Sequence, residues 1–213
     1  MMADKGQSRA GSTVIGILGG IGSGKSLVTE QLQQMGAEVF SADEAGHKAL
    51  DDPSVINTLV SCWGDAILDS DGRLDRKAIA ERVFQGPDAV ADRELLERLV
   101  HPLIAEQMRV FVDSFEQRDD VPLVVIDAAL LLEAGWDAAC DELIYVAADE
   151  ETRWNRCQQR GWTRQQWEAR EATQLSLDEK RARSTLFVDN NSDQASLLLK
   201  LEAIFGEGQK GDS

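Results

Sequence analysis

The chain has 213 residues, 43% of them hydrophobic and 28% charged, a balance that fits one globular domain with a well-filled core and excludes a disordered or fibrous chain. A formal net charge of −16 argues against a general nucleic-acid binder, which carries a basic footprint. It leaves room for a small anion held by local charge and backbone dipoles. No apolar run approaches the ~20 residues of a spanning helix, so no membrane partner is expected, and nothing in the chain sets the oligomeric state.

Residues 1–13 are polar and lack the apolar centre of a secretory signal; they read as a disordered tail on a cytoplasmic protein. Val14–Leu18 is a first strand, followed by a glycine-rich loop and a helix over Leu27–Met35. Ala37–Ser41 reads as a second strand. Helical spacing then covers Asp43–Leu50, Val55–Cys62, Arg76–Phe84 and Asp88 to about Phe115, with a break or kink expected near His101 because Pro102 follows. This stretch is too long for a simple crossover, so about 43–120 is expected as an inserted helical lobe.

Leu123–Asp127 is apolar enough for a buried parallel strand, and Leu143–Ala147 and Leu186–Asp189 follow as further strands. Between the last two, about 149–183 is helical and arginine-rich, with Arg153, Arg156 and Arg160 on one helix face. A final helix from about Ser192 to Phe205 places Leu197, Leu198, Leu201 and Ile204 largely together, and 206–213 reads as a flexible tail. Alternating strands and helices predict an α/β fold of three layers, a five-stranded parallel sheet flanked by helices. The expected single domain spans 14–205, with its core in 14–42, 121–148 and 184–205. Cys62, Cys140 and Cys157 have no metal-ligand spacing and read as free, mostly packed thiols.

Gly19-Gly-Ile-Gly-Ser-Gly-Lys25-Ser26 satisfies G-x-x-x-x-G-K-S/T between a strand and a helix. Glycines let backbone N–H groups approach phosphate oxygens, and the helix N-terminus adds a positive dipole end. Gly20, Ile21, Gly22, Ser23, Gly24, Lys25, Ser26 and Leu27 are therefore candidate ATP contacts, with Lys25 on the β- and γ-phosphates and Ser26 on Mg²⁺. No N-K-x-D string for guanine is present. Asp43 and Asp127 fall at strand ends, where ligands bind in open α/β sheets. Asp43 is a candidate proton acceptor and equally a candidate helix N-cap. Asp127 is a candidate Mg²⁺ ligand through water, or a carboxylate with no ligand. The arginines read either as a phosphate-binding lid or as a solvated face paired with acids.

Beyond the phosphate loop, Ser41-Ala-Asp43 with His47, Gly72-Arg-Leu-Asp-Arg76, Leu99-Val-His101-Pro102, Leu130-Leu131-Leu-Glu133, Arg153/Arg156/Arg160, Gln174 and Asp189-Asn190-Asn191 fall in order. In these motifs the chain resembles the dephospho-coenzyme A kinase family over about Val14–Phe205. The resemblance implies a P-loop kinase fold with an inserted substrate lobe and a lid. It implies transfer of phosphate from ATP, with Mg²⁺, to the ribose 3′-hydroxyl of dephospho-coenzyme A, the last step of coenzyme A synthesis. It implies Asp43, Lys25, Arg153 and Arg156 in catalysis, Arg160 and Asn191 on ATP, and Asp43, His47, Arg76, His101, Leu131 and Glu133 on the acceptor. Turn chemistry accounts equally for the Asn190–Asn191 stretch, and helix packing for His101. Ser41 replaces the first aspartate of the family's D-A-D, Ala129 a proline, Ser184-Thr185 an Ala-Asp pair and Ser192 a glycine. Another P-loop nucleoside or nucleotide kinase, or a non-catalytic nucleotide-binding module, are the competing readings.

Overall fold

The computed structural model describes residues 12–206 apart from 117 and 119, so the expected tails lie almost wholly outside the described residues. The chain forms two compact units: one comprises the residues up to Phe40 and from Phe111 onward, the other Ser41–Val110.

The first unit is built on a five-stranded parallel sheet of β1 (Thr13–Leu18), β2 (Glu38–Ser41), β3 (Leu123–Asp127), β4 (Glu142–Ala147) and β5 (Leu186–Asp189), ordered β2-β3-β1-β4-β5. The central strand pairs Gly16 with Ile126 of β3 on one side and with Leu143 of β4 on the other. Alternation along β1 explains why both faces are covered. Ile15 and Ile17 join Val125, Ile144, Val146 and Val188 against Val28 and Leu32 of α1 (Lys25–Gln34) and Leu197 and Leu201 of α9 (Gln194–Phe205). Each such buried side chain contributes about 1.5–3 kcal/mol. The opposite face receives Leu131, Leu143 and Cys140, which close on Gly16.

Three helices fill the expected lid: α6 (Glu150–Gln159), α7 (Arg164–Glu171) and α8 (Leu177–Arg183). Thr163 with Gln166, and Ser176 with Glu179, form reciprocal capping boxes that fix where α7 and α8 begin. The second unit carries α2 (Ala42–Ala49), α3 (Pro53–Trp63), α4 (Arg76–Gln85) and most of α5 (Ala89–Asp113). Asp52 and Asp75 cap α3 and α4 through the N–H groups of Ser54 and Lys77.

Three expectations change. Thr13 is not tail: its N–H donates to Pro122 O at 3.1 Å, and β1 starts there. The inserted unit ends at Val110, about ten residues early, because Phe111 at the end of α5 packs on Phe40, ring centroids 5.6 Å apart, within the sheet unit. Of the break or kink expected near His101, the break does not occur, since α5 runs through Pro102. Proline removes one N–H from the ladder, while Val100, Ile104, Met108 and Val112, four residues apart, remain buried along the same helix. The cysteines are free as expected, Cys157 buried and Cys140 half-buried, with Cys62 exposed.

Candidate active site

The phosphate loop leaves β1 at Leu18 and enters α1 at Lys25. Gly24 makes the turn at φ +95°, a left-handed conformation that disfavours a side chain. Unlike α2, α3 and α4, α1 has neither a side-chain N-cap nor an acidic residue in its first turn. Its positive end is therefore left for an exogenous anion.

Lys25 Nζ donates to the carbonyls of Gly19 at 3.0 Å and Gly20 at 3.2 Å, folded back over the loop. Burial lowers its pKa to about 8, with repulsion from Lys180 and Arg153 adding to the effect while Asp127 and Glu133 oppose it. Ser26 is exposed on the first turn of α1. One turn on, Thr29 Oγ1 hydrogen bonds to Asp127 Oδ2 at 3.3 Å, which ties the end of β3 to α1.

The lid arginines are built into the loop's support. Arg153, 4% exposed, pairs with Glu171 of α7, lies 5.1 Å from the ring of Trp167 and directs Nη1 at Ile21 O, 3.4 Å away. Trp167 Nε1 donates to the same carbonyl at 3.4 Å. This buried indole packs between Arg153 and the loop. Arg156 Nη1 donates to Gly22 O and Ser23 O at 3.3 and 3.0 Å, and its Nη2 to Asn190 O at 2.8 Å. Burial lowers the Arg156 pKa, with Arg160 adding repulsion. Arg160 is exposed.

Asn191 accepts from Asp149 N–H at 2.8 Å and donates to Asp189 Oδ1 at 2.7 Å, so its carboxamide joins the loops after β4 and β5. Its buried neighbour Asn190 meets the phosphate loop instead, donating Nδ2 to Ser23 O at 2.8 Å. Leu131, expected on the acceptor, is packed under β1 and 1% exposed. Glu133 accepts from Leu175 N–H at 2.7 Å and pairs with Lys180 at 3.6 Å.

Within the Ser41–Val110 unit, Asp43 and His47 stand one turn apart on α2, both exposed. Ser41 Oγ, not Asp43, caps that helix, accepting from Glu44 N–H at 3.2 Å. The Asp43 carboxylate is thereby left for other work. Arg76 is exposed at the start of α4. His101 is half-buried within α5, and burial lowers its pKa against the opposing pull of Glu97.

Two residues to which the sequence assigned no role also stand beside the loop, Asn190 through its bond to Ser23 O and Lys180 through its repulsion of Lys25. Val188 and Asn190 share the buried parity of β5 and its extension, a period of two that would have singled out Asn190 over Asn191. Lys180 stands three residues after Leu177, on one face of α8, and that spacing was the available signal.

A parallel sheet with this loop at the end of its central strand, and a helical lid bearing on the loop, defines a P-loop kinase. The chain belongs to the dephospho-CoA kinase family, whose model matches residues 13–196. It is 36% identical over 196 residues to the dephospho-CoA kinase of Geobacter sulfurreducens, covering 91% of this chain and 98% of that one. A crystal structure of a Thermus thermophilus protein is similar at a TM-score of 0.76 and 33% identity, covering 94% of this chain and 99% of that one. The dephospho-CoA kinase of Campylobacter jejuni shares the fold, with a TM-score of 0.61 at 22% identity and the same coverage. The resemblance read from the sequence motifs is borne out.

Proposed function

We propose that this chain transfers the γ-phosphoryl group of ATP to the ribose 3′-hydroxyl of dephospho-CoA, giving CoA and ADP in the last step of CoA synthesis. The observation that carries the reading is the family match over residues 13–196, which includes the complete phosphate loop and lid.

The loop N–H groups, the uncapped end of α1 and Lys25 hold the triphosphate. Lys25 exchanges its contacts with the carbonyls of Gly19 and Gly20 for phosphate oxygens. Arg153 and Arg156 keep the loop in shape and add positive charge beside it, and Arg160 meets the nucleotide from the exposed side of α6. Asn191 bears on the nucleotide through the backbone of its turn. Asp43 accepts or orients the hydroxyl proton, a role supported by its freedom from helix capping. His47, one turn further along α2, with Arg76, His101 and Glu133, serves the acceptor.

The residues present suit Mg²⁺. Among the described residues no cluster of three or more His, Cys, Asp or Glu forms a metal cage. A hard cation held mainly by phosphate and water oxygens needs only one or two protein oxygens, and Ser26 with Asp127 would supply them. When bound, the ion neutralises phosphate charge.

No helix among the described residues is long and apolar enough to cross a membrane. That fits a cytoplasmic enzyme of small molecules, and the charge of −16 speaks against a nucleic-acid partner. Coupled ADP release should appear with dephospho-CoA and not with AMP, CMP, nucleosides or shikimate. Turnover confined to one of those other acceptors would replace the proposed substrate, and no turnover with any would favour a non-catalytic module.

A further inference from the structure

Lys180 has no role in the reading above. It belongs to a short, polar helix, yet its side chain is only 2% exposed. A lysine this deep needs partners. Its ammonium donates to Gln174 Oε1 at 2.6 Å and lies 3.6 Å from Glu133 Oε1, two acceptors for three N–H groups. Glu133 Oε1 is itself shared with Leu175 N–H at 2.7 Å.

The helix that carries Lys180 rests on the phosphate loop. A Cβ at Gly20 would stand 3.0 Å from Leu177 Cδ2 and 2.6 Å from Arg153 Nη1. Lys180 is close enough to Lys25 for their charges to repel. Lys25, Lys180 and Arg153 thus gather three cations about one loop, and of the nearby carboxylates Glu171 already pairs with Arg153 while Asp127 bonds with Thr29. Glu133 and Asp127 offset part of the repulsion between the two ammonium groups, while burial still disfavours both charges, so a further anion at this end of the loop would be favoured.

We propose that Lys180 is a second phosphate-binding ammonium of this site, meeting the polyphosphate through its remaining N–H while Glu133 and Gln174 hold the side chain in place. It binds beside Lys25, and the inference rests on the kinase reading only for the identity of the nucleotide. The competing role is a structural pin between the loop after β3 and α8.

The test measures metal-free binding of inorganic tripolyphosphate by calorimetry, the thermal midpoint, and KM for each substrate. Lys180→Gln is expected to weaken tripolyphosphate about tenfold or more, and Lys180→Arg to recover most of that loss. Lys180→Met combined with Glu133→Gln removes both charges; it should regain the wild-type midpoint while remaining a weak binder. In turnover, KM for ATP should rise about fivefold or more in Lys180→Gln, with KM for dephospho-CoA little changed. Recovery of midpoint and binding together in the double variant, or wild-type binding by Lys180→Gln, overturns the proposal in favour of a pin. Weakened tripolyphosphate binding in a protein whose wild type ignores dephospho-CoA would uphold Lys180 and remove only the acceptor.

Discussion

Asn190 donates its Nδ2 hydrogen to the carbonyl oxygen of Ser23 at 2.8 Å, so the residue after β5 braces the phosphate loop from behind. The same Nδ2 occupies the place that a Cβ on Gly24 would take. Two effects thus forbid a side chain at position 24: this collision, and the left-handed φ of +95°. Asn190→Ala should cost about 1–3 kcal/mol in chemical denaturation and raise KM for ATP, since a buried bond is lost. Gly24→Ala should cost more. The double variant should be less destabilised than the sum, because removing Asn190 relieves the collision and leaves only the backbone strain. Strict additivity would show that the two positions do not meet.

Lys25 gives a pH dependence with a defined direction. Its pKa near 8 in the unliganded protein lies below the ordinary 10.5, and a polyphosphate favours the charged form. Above the range where the terminal phosphate of ATP itself titrates, metal-free ATP binding should weaken as pH rises through 8, with Lys25 taking up about half a proton per ATP at pH 8. Calorimetry in buffers of different ionisation enthalpy reads that uptake directly. For stability, the unfolded chain holds the extra proton between about 8 and 10.5, so this group makes the unliganded protein more stable as pH rises through that window. Lys25→Met should abolish that rise, leave the midpoint at pH 7 no lower than wild type, and reduce kcat about 10²–10³-fold.

Ser41 caps α2, and Asp43, the proposed proton acceptor, stands on the same turn. Ser41→Ala should cost about 1 kcal/mol through the lost cap on Glu44 N–H, with little effect on kcat. Ser41→Asp caps equally well and restores the stability. Asp43→Asn should leave the melting temperature within about 2 °C and lower kcat about 10²-fold or more, as loss of a general base does. An Asp43→Asn enzyme with undiminished kcat would take the proton-accepting role from this residue.

Much of this was legible because it is local. A run such as Leu123–Asp127 needs no partner to declare a buried strand, and the glycine spacing of 19–26 carries its own chemistry. What escaped was set by distant packing. Ser41 looked like a departure at a catalytic motif, yet its hydroxyl serves as the cap. Pro102 looked like a helix breaker, and the buried series from Val100 to Val112 kept α5 whole. Arg153 was read as a lid arginine, and its burial against Glu171 and Trp167 of another helix is something no spacing within α6 reveals. Lys180 left only a faint signal, its spacing from Leu177, because its ion-pair partner Glu133 lies far away in the chain.

The Arg153–Glu171 pair supplies a prediction about the lid. The side chains are 5% and 27% exposed, so the guanidinium is nearly dry while its carboxylate retains some water. Removing one partner of such a buried pair costs about 3–5 kcal/mol when the other is left unpaired, and partial solvation of Glu171 places the expectation for Glu171→Gln at or below the lower end. Arg153 also bears on Ile21 O, so loosening it should be felt at the phosphate loop. Glu171→Gln is therefore expected to lower the midpoint, raise KM for ATP, and increase protease cleavage between residues 150 and 185 in the unliganded protein. ATP should suppress that cleavage, because phosphate replaces the missing carboxylate as the partner of Arg153. Cleavage that stays high at saturating ATP would mean that Arg153 serves the lid alone and never meets the nucleotide.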